Sequence, residues 1–273
     1  MKRHKICKII FAILAVFLCV AFYELIGICV TYKKQPAVSD ATIKETQNIM
    51  SVAGRENTER AVIIEKNSQA LLERVRLIQN AKDEIILSTF AFKSDESGKL
   101  ILGALHDAAD RGVHVRILVD GMESWIDMEG NPYFYGLSSH ENVEIKLYNK
   151  ANPLKPWKTM GRMHDKYLIA DGKIYILGGR NTYNYFLGDF PGHKNFDRDV
   201  LVVCDEPQKD NSVNQLWNYF ETIWEQEDCR YFHNSKKLAD RQSVKKAVLE
   251  LQEGYQQYLS LIHISEPTRR RGI

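Results

Sequence analysis

Met163-His164-Asp165-Lys166-Tyr167-Leu168-Ile169-Ala170-Asp171-Gly172 is the stretch on which the reading of this chain turns. Tyr167 to Ala170 is a strand-forming run, Asp171-Gly172 a turn, and Lys173 to Leu177 a second strand. On an extended chain His164 and Lys166 lie two apart and project from one face. An imidazole beside an ammonium suits a phosphodiester: the ring nitrogen attacks phosphorus while the cation stabilises charge on the non-bridging oxygens. Asp171 has the opposite parity and enters the turn, where the expected job is structural, bonding backbone or a neighbouring side chain.

Outward from this stretch, strands and helices alternate. Short strands are expected at Ala61 to Ile64, Glu84 to Phe92, Val113 to Val119, around Val143, Ile145 and Leu147, and at Val200 to Val203. Helices are expected after Ser68 as a cap (Leu71, Leu72, Val75, Ile78), from Ser97 to Asp110 closed by Gly112, and through Val213, Leu216, Trp217, Phe220 and Trp224. That alternation predicts an α/β domain, a mixed β-sheet with helices on both faces. No internal repeat is visible.

Further motifs follow the first in order: Gly178-Gly179-Arg180-Asn181, then Phe196-Asp197-Arg198-Asp199. Ser88-Thr89-Phe90-Ala91-Phe92, Ser94-Asp95 and Gly112 to Asp120 precede it. Residues 60 to 227 in this order resemble the N-terminal half of the phospholipase D superfamily, especially its cardiolipin synthase-like members. The resemblance implies a phospholipase D-like fold, phosphodiesterase or phosphatidyl-transferase activity, and a phosphohistidine intermediate on His164. It makes Lys166 and Asn181 the groups that hold phosphate oxygens. Asp199 becomes the carboxylate that hydrogen-bonds the far nitrogen of the histidine, and Gly178 and Gly179 the positions where backbone approaches phosphate. The candidate catalytic set is therefore His164, Lys166, Asp171, Asn181 and Asp199, with no metal and no cofactor implied. Phospholipid is the implied substrate, phosphatidylglycerol in the sharpest version, with water, glycerol or a second phosphatidylglycerol as acceptor. The alternatives are an anchored or secreted endonuclease of the same superfamily working as a homodimer on nucleic acid, and a non-catalytic anchored binding domain.

The superfamily needs two such motifs across a pseudo-twofold axis, and residues 1–273 hold one. A missing second half is the favoured explanation, pairing of two copies the other. The end of the chain bears on this, since Leu259 to Arg269 resembles an in-frame translation of a sequencing adapter. Residues 259–273 are accordingly set aside from fold reasoning, against the competing reading of a natural basic tail, and residues 229–258 are expected to be a helical segment leading to the second half.

At the other end, Lys2, Arg3, Lys5 and Lys8 precede an apolar run from Ile9 to Val30. Twenty-two helical residues rise about 33 Å, enough to cross the hydrocarbon core. No small-x-small cleavage site follows, so an uncleaved single-pass anchor is expected rather than a signal peptide. The basic excess before the span puts the N-terminus inside and residues 60–228 outside, joined by a polar linker over 31–59. With 37 basic and 35 acidic residues, net +2, no global field favours nucleic acid or anionic lipid. The five cysteines show no metal-ligand spacing and no disulfide framework. The loop carrying Lys150, Lys155, Trp157, Lys158 and Arg162 is either a solvated loop or a lip facing lipid headgroups.

Overall fold

The computed structural model describes residues 2–33, 39–44, 59–150, 152, 154–158, 160–205, 211–233 and 235–265. Most of the expected linker, together with residues 266–273, lies outside them. The chain divides into two units, one formed by residues 1–57 with 151–162, the other by 58–150 with 163–273.

In the first unit helix α1 (Lys2–Lys33) contains a segment from His4 to Val30 that is long and apolar enough to cross a membrane, with mean hydropathy 2.7. None of its side chains from Ile6 to Val30 is buried, and most are exposed. That is the pattern of a helix whose apolar surface has no protein core to enter.

The second unit is built on one sheet. Its strands among the described residues are β1 (Glu59–Ile64), β2 (Glu84–Thr89), β3 (His114–Asp120), β4 (Val143–Tyr148), β5 (Lys166–Ala170), β6 (Ile174–Gly178), β7 (Asp199–Cys204) and β8 (Cys229–Tyr231). They lie in the order β1-β7-β6-β5-β2-β3-β4-β8. The neighbours β2, β3 and β4 run parallel, and every other pairing is antiparallel. The mixed α/β sheet anticipated from the alternation is therefore present.

Strand parity sorts the core into two layers. One face presents Ile85, Leu87, Val115, Ile117, Ile145, Leu168 and Ile176. Packed over it are α2 (Asn67–Asn80), α3 (Glu96–Asp110), α5 (Pro132–Ser138) and α8 (Gln242–Ser265). The other face presents Ile86, Leu118, Tyr167, Ile169, Tyr175 and Val202 to Val213, Phe220 and Trp224 of α6 (Ser212–Trp224). Two short helices complete the set, α4 (Gly121–Asp127) and α7 (Lys236–Ala239).

Several boundaries differ from expectation for local reasons. Helix α2 starts at Asn67 behind Lys66, without a side-chain cap, so Ser68 is not its cap. Asp95 caps α3, accepting from the Gly98 N–H. β2 ends at Thr89 because Ala91 to Lys93 leave the sheet to bond residues 181 and 182. The segment after residue 229 folds back on the body: α8 buries Val244, Ala247, Leu251 and Tyr255. Gly103 of α3 makes room for it, since a Cβ there would fall 2.7 Å from the Leu251 carbonyl oxygen. Cys204 and Cys229 are both buried free thiols.

Candidate active site

Lys166 opens β5 as the partner of Thr89, the last residue of β2. One step past the Tyr167–Leu177 pair it comes level with Gly178, which pairs with Asp199, which pairs with Ile64. A single row therefore crosses the sheet through Thr89, Lys166, Gly178 and Asp199, with directly opposed side chains about 5 Å apart on one face. Parity puts that face toward α2 and α3. Two of the candidate residues brought into the row are 33 positions apart in sequence.

His164 precedes the strand rather than lying in it, because β5 begins at Lys166. Its ring is exposed and meets the Phe90 ring edge-on, centroids 4.7 Å apart. Lys166 is 6% exposed; its Nζ donates to the His164 carbonyl at 2.7 Å and sits 5.4 Å from the centre of the Phe90 ring. Burial draws this ammonium below the ordinary lysine range, against the opposing pull of Asp165 and Asp197. Phe90 thus touches both residues of the pair. The approach to His164 is set by Asp120, the last residue of β3. Its Oδ1 caps α4 at the N–H groups of Met122 and Glu123, and its Oδ2 accepts from the Met163 N–H at 3.1 Å.

Asn181 is fastened beside the end of β2. Its Oδ1 accepts from the Ala91 N–H at 3.2 Å, which leaves the amide's NH2 end as the one that can donate to a ligand. Thr182 bonds Ala91 and Lys93 through its backbone, and Asp95 and Asn184 exchange bonds with each other's segments, so the loop after Gly179 is stitched to the start of α3.

Asp199 is buried and ion-paired through Oδ2 to Arg74 at 2.9 Å and Arg180 at 3.3 Å. Its Oδ1 is buried without a hydrogen-bond partner among the described residues, and no Asp199–His164 hydrogen bond occurs among them. Its ion-pair partners among the described residues are these two arginines, and a part for Asp199 toward His164 belongs to the proposal below. The two glycines lie close against carboxylates. A Cβ at Gly178 would fall 2.0 Å from Asp199 Oδ1, and one at Gly179 would fall 2.0 Å from Asp197 Oδ2.

Asp171 lies at the far end of β5 from His164, with φ at +53°. Its carboxylate accepts from the N–H groups of Lys82, Asp83 and Glu84, tying the turn to the start of β2. These bonds go to backbone at the turn.

Arg180, fully buried, also donates to Asn67 Oδ1 and to the carbonyls of Ile64, Glu65 and Asp197. Burial lowers its pKa from the ordinary guanidinium value, partly offset by Asp199. Sequence assigned no role to Arg74, and it placed Phe90 and Asp120 only inside the longer motifs. Arg74 did leave a signal, because it interrupts the apolar stripe Leu71, Val75, Ile78 of α2 on its buried side.

The exposed His164, the buried Lys166 and Asn181 thus lie around the ends of β2 and β5 in the mixed α/β sheet. The family model described as "Cardiolipin synthase, PLD-like domain" matches residues 75–224. The chain belongs to that family. An uncharacterized protein of Helicobacter pylori is 33% identical over 181 residues, 61% of this chain and 35% of that protein. Cardiolipin synthase C of Escherichia coli is 29% identical over 154 residues, 51% of this chain and 31% of that protein. Cardiolipin synthase 1 of Staphylococcus aureus is 35% identical over 112 residues, 41% and 22% of the two chains. The chain therefore spans about a third or less of the length of these curated relatives. Among solved structures, NucT from Helicobacter pylori aligns with a TM-score of 0.50 at 16% identity, over 64% of this chain and 99% of that one, a likeness of fold.

Proposed function

We propose that this chain carries one catalytic half of a phospholipid phosphodiesterase or phosphatidyl transferase, cardiolipin synthase-like, working through a phosphohistidine on His164. The observation that carries the reading is the exposed His164 ring beside the buried ammonium of Lys166, with the NH2 end of Asn181 left to donate. A ring nitrogen of His164 attacks phosphorus, the nitrogen–phosphorus bond forms and the ester phosphorus–oxygen bond breaks. Lys166 and Asn181 hold the non-bridging oxygens as charge grows on them. The departing alkoxide takes its proton from a second histidine, supplied by a further half or by a second copy of this chain. An acceptor hydroxyl then gives its proton to that second histidine, attacks phosphorus and releases His164. Helix α1 anchors the body to the membrane, N-terminus inside and body outside.

The test separates nucleophile from acid. A phosphodiester with a p-nitrophenolate leaving group departs without a proton at neutral pH, whereas an alkyl ester does not. The full chain in detergent micelles should give an acid-labile phosphoryl adduct on the peptide containing His164 from the aryl ester. His164→Asn should give none, and phosphatidylglycerol should give none while the chain is monomeric. An equal adduct in His164→Asn removes His164 from the mechanism. Cleavage of DNA that weakens steeply with salt, without turnover of lipid vesicles, would favour the nuclease reading instead.

A further inference from the structure

Residues 151–162 belong to the same unit as the apolar helix, not to the unit that carries the sheet. The turn at Pro156–Lys158 packs along α1, and Tyr23 Oη of α1 donates to the Leu154 carbonyl at 3.2 Å. Three large apolar side chains of this segment stay exposed: Leu154 at 79%, Trp157 at 43% and Met160 at 51%. Lys155, Lys158 and Arg162 alternate with them, and no acidic residue occurs from 151 to 162. Apolar and indole groups with interleaved lysines are what the boundary between headgroups and acyl chains favours.

We infer that the segment bearing Leu154, Lys155, Trp157, Lys158, Met160 and Arg162 docks on anionic phospholipid in the leaflet where α1 emerges. Leu154, Trp157 and Met160 enter the acyl boundary, and Lys155, Lys158 and Arg162 meet lipid phosphates. The loop ends two residues before His164, so its occupant is the lipid class from which the catalytic histidine would draw substrate. The inference rests on reading α1 as a membrane span and deepens the lipid reading of the site.

The test needs no turnover. The full chain is reconstituted into vesicles of phosphatidylcholine with phosphatidylglycerol, and into phosphatidylcholine alone, each made with acyl chains brominated near the headgroup. Trp157 is one of four tryptophans, so Trp157→Phe isolates its share of the quenched emission, and the substitution is conservative at an exposed site. In the anionic vesicles Trp157→Phe should reduce the quenched emission about twofold. Lys155→Glu with Lys158→Glu should produce a similar loss, and neutral vesicles should show little quenching of Trp157. Unchanged quenching in Trp157→Phe overturns the loop's insertion. Equal quenching in neutral and anionic vesicles overturns the assignment to anionic lipid. His164→Asn should quench like the wild type, so quenching without a phosphoryl adduct would sink the catalytic reading and leave the loop standing. An adduct without quenching does the reverse.

Discussion

Replacing Asp199 by Asn removes the carboxylate that pairs with both Arg74 and Arg180, side chains that are 5% and 0% exposed. The amide keeps the shape and loses the charge, so two guanidiniums remain buried against each other. Removing one partner of a buried ion pair costs about 3–5 kcal/mol, most of it the uncompensated charge left behind. In a body of this size that corresponds to a fall of about 6–20 °C in Tm. The assay is thermal unfolding of the full chain in micelles, followed by near-ultraviolet circular dichroism. Adding Arg74→Met to Asp199→Asn should return part of the loss, because one of the two stranded charges is gone. A drop below about 1 kcal/mol for Asp199→Asn, or no recovery in the double variant, would show that the pairing does not hold this corner of the sheet. If Asp199 acts on His164 alone, kcat falls while Tm stays put.

Lys166→Ala and Asn181→Ala should leave Tm within a few degrees but slow adduct formation from the aryl ester by about 100-fold or more, read by rapid quench; losses below about tenfold in both would put the phosphate elsewhere. Because burial lowers the Lys166 pKa, its needed charge is lost earlier on the alkaline side than an exposed lysine's. Adduct formation should therefore decline with rising pH below the ordinary lysine range, and Lys166→Arg should move that limb upward. A pH profile with the same limb in both proteins refutes this. Asp171→Ala should cost about 1–3 kcal/mol, since three N–H groups lose a charged acceptor that water partly replaces. Below its Tm that variant should form the adduct at the wild-type rate, and a selective loss of rate would give Asp171 a part in the chemistry.

Much of the sheet was legible because its signals are local. Alternating apolar positions in β4, the runs in β2 and β3, and the 3.6-residue spacing in α3 and α6 each report on a face, and a face must be buried somewhere. The ordered motifs from His164 to Asp199 led to the family, and the opposite parity of Asp171 already marked it as a turn residue. The short elements α4, α5 and β8 were not legible. Each has three to seven residues, too few for a period, and the longer neighbours hold them in place.

What the sequence could not decide was which groups complete one another. Arg74 lies 125 residues before Asp199 and 106 before Arg180, yet α2 and β7 bring the three together. A carboxylate written next to a motif cannot announce whether it will face a histidine or an arginine, because that depends on which helix closes over its end of the sheet. The same holds for Gly178 and Gly179, which tertiary packing sets against Asp199 and Asp197. Residue types and their order are properties of the chain and determined the chemistry that could be attempted. The partner of each buried charge was decided by tertiary packing, since in a medium of low dielectric a charge must be answered by whatever the fold brings within reach.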